Sequence, residues 1–244
     1  MSRELTDLEK AEAAEQASPT AVPVEVTAER SREPGAAVAA AVAITPEMRV
    51  LEVGAAATAA AHVAATGGEV ELTEGDAQPL PYDDDTFDRV LTVFGTMFAA
   101  DHDAAANEIV RVCKPGGEIV MAAWTPDGFA GRLSAIASNG TAGGDAPTEW
   151  GTHGHVRRRL GGQLVLAIEP ASVDFTAESA DALLADLEQS FAPLAAAKAA
   201  LEPRAYDELT ASARALIEEL DDGEGETRVA SAYNVVIGHK PVAM

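Results

Sequence analysis

Residues 87–124 read FDRVLTVFGTMFAADHDAAANEIVRVCKPGGEIVMAAW. The run from Phe87 to Phe94 is of strand length and mostly apolar, which reads as a buried strand. Asp101 is a residue type that caps helix N-termini, and Ile109 and Val110 lie on one face of the segment after it, so the pattern predicts a helix over 101–112. Lys114-Pro-Gly-Gly117 ends that helix. Glu118 to Trp124 is then a second buried strand. Strand, helix and strand at this spacing call for parallel pairing through a right-handed crossover.

The same alternation extends toward the N-terminus. Arg49-Val-Leu-Glu-Val53 is a strand ending at Gly54, Ala55 to Thr66 has helix-favouring composition, and Gly67-Gly68 stops it. Glu69 to Glu74 alternates like a strand, and Glu33 to Ala43 reads as a short helix. Residues 1–32, interrupted by Pro19 and Pro23, form a polar arm. Beyond Thr125 the pattern changes to a Gly-rich loop (Asn139 to Gly144), Trp150 and the triplet Arg157-Arg158-Arg159. Residues 178–220 read as two acidic amphipathic helices broken near Pro193 and Pro203, and Val229 to Gly238 as a final strand on the sheet edge. The chain thus divides into the arm, a core over 33–130, a substrate-side cap with helices over 131–228, and an edge strand with tail over 229–244.

Bulk composition narrows the function. The 244 residues carry 40 acids against 17 lysines and arginines, a net charge of -23. Such a surface repels a phosphate backbone and an anionic membrane, so neither nucleic acid nor membrane is expected as a partner. The excess fits a chain kept soluble in high salt, and equally an Ala-rich acidic protein. Cys113 is the single cysteine, which excludes an internal disulfide and a thiolate metal site. No apolar run reaches the roughly 18 residues of a spanning helix. The start, Met1 to Glu15, is charged and not a secretory signal, so a cytoplasmic location is expected.

Four pieces in order carry a family resemblance: Val50-Leu-Glu-Val-Gly54, Glu74-Gly-Asp-Ala-Gln-Pro-Leu-Pro-Tyr82, Phe87-Asp-Arg-Val90, and Arg111-Val-Cys-Lys-Pro-Gly-Gly117. Over residues 45–130 the chain resembles the class I S-adenosylmethionine-dependent methyltransferases, most closely the small-molecule branch of the ubiquinone/menaquinone type. The resemblance implies a Rossmann-like, doubly wound, mostly parallel α/β sheet, here shortened on one side and finished by a helical C-terminal cap. It also implies S-adenosylmethionine as cofactor, bound by Glu52 and Gly54 at the first strand, by Glu74 toward the ribose, and by Asp76 and Ala77 around adenine.

Two departures predict an impaired cofactor site. The family's acid-x-Gly-x-Gly-x-Gly turn here gives Glu52, Gly54, Ala56 and Thr58, with one glycine of three. From Gly54 to Asp76 is 22 residues, about half the family's usual separation, so the second strand-helix unit is missing or merged. One strand cannot easily serve two adjacent slots about 4.8 Å apart.

For chemistry, His102 comes after the strand at the sheet's carboxyl edge and is the candidate general base, against a solvent-exposed helix start. Phe94, Met97 and Phe98 are the candidate substrate pocket, against plain core packing. His153 and His155 lack a third well-spaced ligand, so no metal is assigned. The arginine triplet pairs with acidic helices of the same chain or binds an acidic substrate. The functional expectation is a methyltransferase-family protein acting on a small molecule, with an oligomer left open. A donor-independent cyclase or isomerase on the same scaffold, and a non-catalytic partner protein, are the alternatives.

Overall fold

The computed structural model describes residues 32–54, 69–73, 79–138 and 146–242. Among them six strands form one sheet: β1 (Arg49–Val53), β2 (Glu69–Thr73), β3 (Phe87–Val93), β4 (Cys113–Trp124), β5 (Val165–Ala177) and β6 (Thr227–His239). Their order across the sheet is β2-β1-β3-β4-β6-β5. The first four are parallel, and β6 runs antiparallel to both β4 and β5. This is the doubly wound, mostly parallel sheet that the alternation implies.

The core strands form where the apolar runs predict. Val50, Leu51 and Val53 of β1 are buried, as are Val90, Leu91 and Val93 of β3. In β4 the consecutive residues Ile119 to Trp124 are all buried. Successive side chains of a strand point to opposite faces, so an unbroken buried run means that both faces of the sheet are covered. The helices α1 (Arg32–Ala40) and α2 (His102–Val112) pack against this parallel half. The Asp101 carboxylate accepts the backbone N–H groups of Asp103 and Ala104 at 2.9 and 3.0 Å, starting α2 where the sequence places its cap. At the other end of α2, the Lys240 ammonium donates to the carbonyls of Val110 and Cys113, at 2.9 and 2.6 Å. A cation there satisfies carbonyls that have no partner within the helix.

The shortening is localised. β2 pairs in register beside β1, from Arg49 with Glu69 to Val53 with Thr73. It therefore fills the second-strand position, and among the described residues no strand lies beyond it. The short edge of the sheet is therefore the one beyond β2, and the second strand, expected to be missing or merged, is present. The Ala55–Thr66 helix, Glu74, Asp76 and Ala77 lie outside the described residues.

The C-terminal half departs from expectation in three places. β5 is not anticipated by the sequence. Pro170 interrupts its pattern, and its first eight residues are exposed or only half-buried, so no apolar alternation marks it. It is the edge strand, where a residue without an N–H is tolerated. β6, expected at the edge, is instead interior, between β4 and β5. The two expected helices are three, α5 (Ala180–Ser190), α6 (Ala192–Ala200) and α7 (Pro203–Leu220), because Pro193 and Pro203 each start a new helix in its first turn. These helices form the C-terminal cap, with α7 packed on α3 (Phe129–Ala137) and α3 on β6. The remaining helix, α4 (His153–Leu160), comes after the 3-10 turn Pro147–Gly151 and lies against α2.

Candidate active site

The chain winds from β1 outward to β2, then crosses back to place β3 on the other side of β1. Strand order reverses there, and in open α/β sheets ligands sit outside the carboxyl ends of the strands at such a point. Two glycines meet at this edge. Gly54 ends β1 with φ +123°, and a Cβ added to it would stand 2.9 Å from the Gly95 Cα. A Cβ on Gly95 would stand 2.6 Å from the Val53 carbonyl oxygen and 2.8 Å from the Gly54 Cα. The turns after β1 and β3 thus touch backbone to backbone, and both glycines stay partly accessible. Glu52, two residues before Gly54 on β1, is 1 % exposed.

Beside this edge lies an aromatic cluster. Phe94 takes a positive φ of 59°, a conformation costing a side-chain-bearing residue about 1–2 kcal/mol. Its N–H is held by the Ala122 carbonyl at 3.0 Å. Its ring stacks on Trp124 with centroids 3.9 Å apart and planes 8° from parallel. Tyr233 meets both rings edge-on, at 5.9 and 5.8 Å. Burial raises the Tyr233 hydroxyl's pKa, with the Glu33 carboxylate adding to it. Of the three candidate pocket residues, Phe94 and Met97 are buried in the core, and Phe98 is 44 % exposed.

His102 is buried rather than solvent-facing. Its Nδ1 lies 3.1 Å from His155 Nε2, and its Nε2 lies 3.3 Å from the Met97 carbonyl oxygen. On the far side His155 Nδ1 lies 3.1 Å from a Glu149 carboxylate oxygen. The series begins and ends on an acceptor, so its three contacts ask for three protons, whereas two neutral imidazoles carry two. Which of the three contacts goes without its proton is set by the tautomers of the two rings. Arg158 stands 3.7 Å from Glu149, and Arg159 pairs with Asp103, so two of the three arginines hold acids of the same chain, on the 3-10 turn and on α2.

The segment carrying His155 is docked firmly on the sheet. A Cβ at Gly151 would stand 2.0 Å from the Trp124 carbonyl oxygen, and the Asn234 side chain donates to the Gly151 carbonyl at 2.7 Å. Thr152 caps α4 by accepting the His155 N–H at 3.3 Å. Sequence reasoning singles out His102 but gives it no partner. It weighs His155 only with His153 as a metal ligand, and among the described residues no such cluster occurs.

Residues 26–121 match the family described as methyltransferase domain. Over this segment the chain is similar to that family. An uncharacterized protein of Mycobacterium tuberculosis is 43 % identical over 105 residues, which cover 41 % of this chain and 38 % of that protein. A demethylmenaquinone methyltransferase of Streptomyces avermitilis is 52 % identical over 50 residues, 20 % of this chain and 22 % of the enzyme. The matched stretch thus spans well under half the length of each relative. A Bacillus halodurans structure, described as a candidate methyltransferase, superimposes with a TM-score of 0.58 at 14 % identity, over 85 % of this chain and 99 % of that one. At that identity the likeness concerns the fold, and its coverage of this chain is wider than the matched segment. The matched segment holds the strands β1 to β3 and most of β4, and the glycine contact and His102 come directly after β1 and β3. No helix among the described residues is long and apolar enough to cross a membrane.

Proposed function

We propose that this protein binds S-adenosylmethionine at the switch point between β1 and β3 and transfers its methyl group to a small, apolar or conjugated molecule. The observation that carries this reading is the bare backbone contact of Gly54 with Gly95 at the carboxyl ends of those strands. Two turns without Cβ atoms leave main chain open to a ligand where the fold gathers its ligands. Gly54 and Gly95 offer a nucleotide donor bare main chain, while Ala56 and Thr58 stand where the family's turn has glycine. Glu52 and Gly54 would hold the donor's methionine side, with Glu74, Asp76 and Ala77 toward ribose and adenine. The sulfonium of this donor supplies an electrophilic methyl group.

What the chain then contributes is placement and a destination for a proton. The flat pair Phe94 and Trp124, with Phe98 at the surface, suits an apolar or conjugated acceptor molecule. Holding two reactants in line is worth roughly 7–11 kcal/mol of barrier at best, so little further side-chain chemistry is required. His102 is the candidate base, with His155 and Glu149 supporting its ring from behind. Calorimetric titration with S-adenosylhomocysteine tests the reading. Micromolar binding supports it, and silence at millimolar ligand overturns it.

A further inference from the structure

Tyr233 lies on β6 as the register partner of Trp124, the last residue of β4. Directly opposed residues of an antiparallel pair share a face, so both side chains stand together at the carboxyl edge of the sheet. The Tyr233 ring meets Phe94 and Trp124 edge-on, with planes at 80° and 79° to theirs. Phe94 keeps its place there at a positive φ of 59°, a strain of the kind that gathers where ligands bind. Tyr233 is 3 % exposed, yet among the described residues its hydroxyl takes part in no hydrogen bond. Tyr206 shows the ordinary arrangement, its hydroxyl donating to the Glu188 carboxylate at 2.5 Å. Nearly every buried polar group finds a partner, so an unbonded one calls for a reason. Phenylalanine at 233 would fill the same space without stripping a hydroxyl of water. The fold gives no use to this oxygen, and a molecule from outside the chain does.

We infer that Tyr233 is a specificity-determining residue, which donates a hydrogen bond to a neutral oxygen of the flat molecule held against Phe94 and Trp124. This role rests on the acceptor site proposed above and narrows the chemistry of what it takes. Burial and the Glu33 carboxylate keep the proton on the Tyr233 oxygen, so at neutral pH the hydroxyl can donate. The same carboxylate, on a chain of net charge -23, repels an anion. The oxygen that answers the hydroxyl therefore belongs to an uncharged group, such as a ketone. A site built around such a bond discriminates against the analogue that lacks the oxygen, because the hydroxyl is then left unpaired.

The experiment is equilibrium dialysis of the full chain against indanone and indane, a flat ketone and the hydrocarbon of the same shape, with S-adenosylhomocysteine titrated separately. Tyr233→Phe is expected to weaken indanone roughly ten-fold and to leave indane unchanged. Because no bond within the fold is lost, the thermal midpoint of this variant is expected to match or exceed that of the unmodified protein. Tyr206→Phe, which breaks the bond to Glu188 on the cap, is expected to do the reverse, lowering the midpoint and leaving both probes as they were. Unchanged affinity of Tyr233→Phe for indanone, equal loss of both probes, a lowered midpoint, or no uptake of either probe by the unmodified protein overturns the role of Tyr233. The donor site stands through any of these where S-adenosylhomocysteine binds. Failure of S-adenosylhomocysteine alone removes methyl transfer, and a hold on indanone that depends on Tyr233 then still establishes the oxygen anchor.

Discussion

The Nδ1 atom of His102 and the Nε2 atom of His155 stand 3.1 Å apart across 53 residues of chain, and both rings are buried. Their contact joins the start of α2 to the start of α4. Removing one ring leaves the other with an unmet polar atom in the interior, at a cost of about 1–3 kcal/mol. We expect His155→Leu to lower the urea midpoint accordingly. The double variant with His102→Leu should recover part of that loss, because both partners are then apolar. Strict additivity in this cycle would show that the two rings do not act as a unit.

The glycine contact gives a steeper prediction. Gly95→Ala places a methyl group 2.6 Å from the Val53 carbonyl oxygen, and overpacking of this kind costs about 1–3 kcal/mol. Gly54→Ala adds left-handed strain of roughly 1–2 kcal/mol to a similar overlap. Both variants should unfold at lower denaturant and lose S-adenosylhomocysteine binding. Wild-type affinity in a folded Gly54→Ala protein would place the ligand elsewhere.

Cys113 makes stability fall at high pH. Burial pushes its thiol from the ordinary 9.0 up to about 11. The raised folded value means its contribution is intact below 9.0 and drains away as pH rises to about 11, where the unfolded chain ionises and the folded one does not. At about 1.4 kcal/mol per pKa unit, the effect is measurable by chemical denaturation at about pH 8 and about pH 10.5. Cys113→Ala should flatten that limb, and an unchanged slope would refute the assignment.

Asp101 caps the helix that presents His102. Asp101→Ala should cost about 1 kcal/mol, or a fall of roughly 2–4 °C in Tm for a chain of this size. Asp101→Ser, which retains an accepting oxygen, should restore most of it.

How far the sequence can be read depends on the range over which each signal acts. The segment from Phe87 to Trp124 is legible because its signals are local: an apolar run, a capping aspartate, a Pro-Gly-Gly break. β5 escapes because Pro170 and a half-exposed edge erase its alternation, and β6 reads as an edge strand because nothing local names its neighbours. For the site, Gly54 and His102 are legible as residues at the carboxyl edge, but the contacts that define them are not. Gly95, His155 and Trp124 reach them only through the crossovers of the sheet. Near Arg111 the Lys-Pro-Gly-Gly signal speaks only of a turn, and the bonds of the guanidinium to the Leu80 and Tyr82 carbonyls, 31 and 29 residues upstream, leave no local trace.

Pro170 also bears on how the protein behaves in a crowded solution. It lies midway along the thirteen-residue β5, which has no outer neighbour among the described residues. A long exposed strand is a template on which further chains can zip into filaments. A residue with no amide hydrogen interrupts that template, and the flanking Glu169 sets like charges against each other in any self-pairing centred there. The same proline that hides the strand from sequence reading thus guards the molecule against growing into aggregates from its own flank.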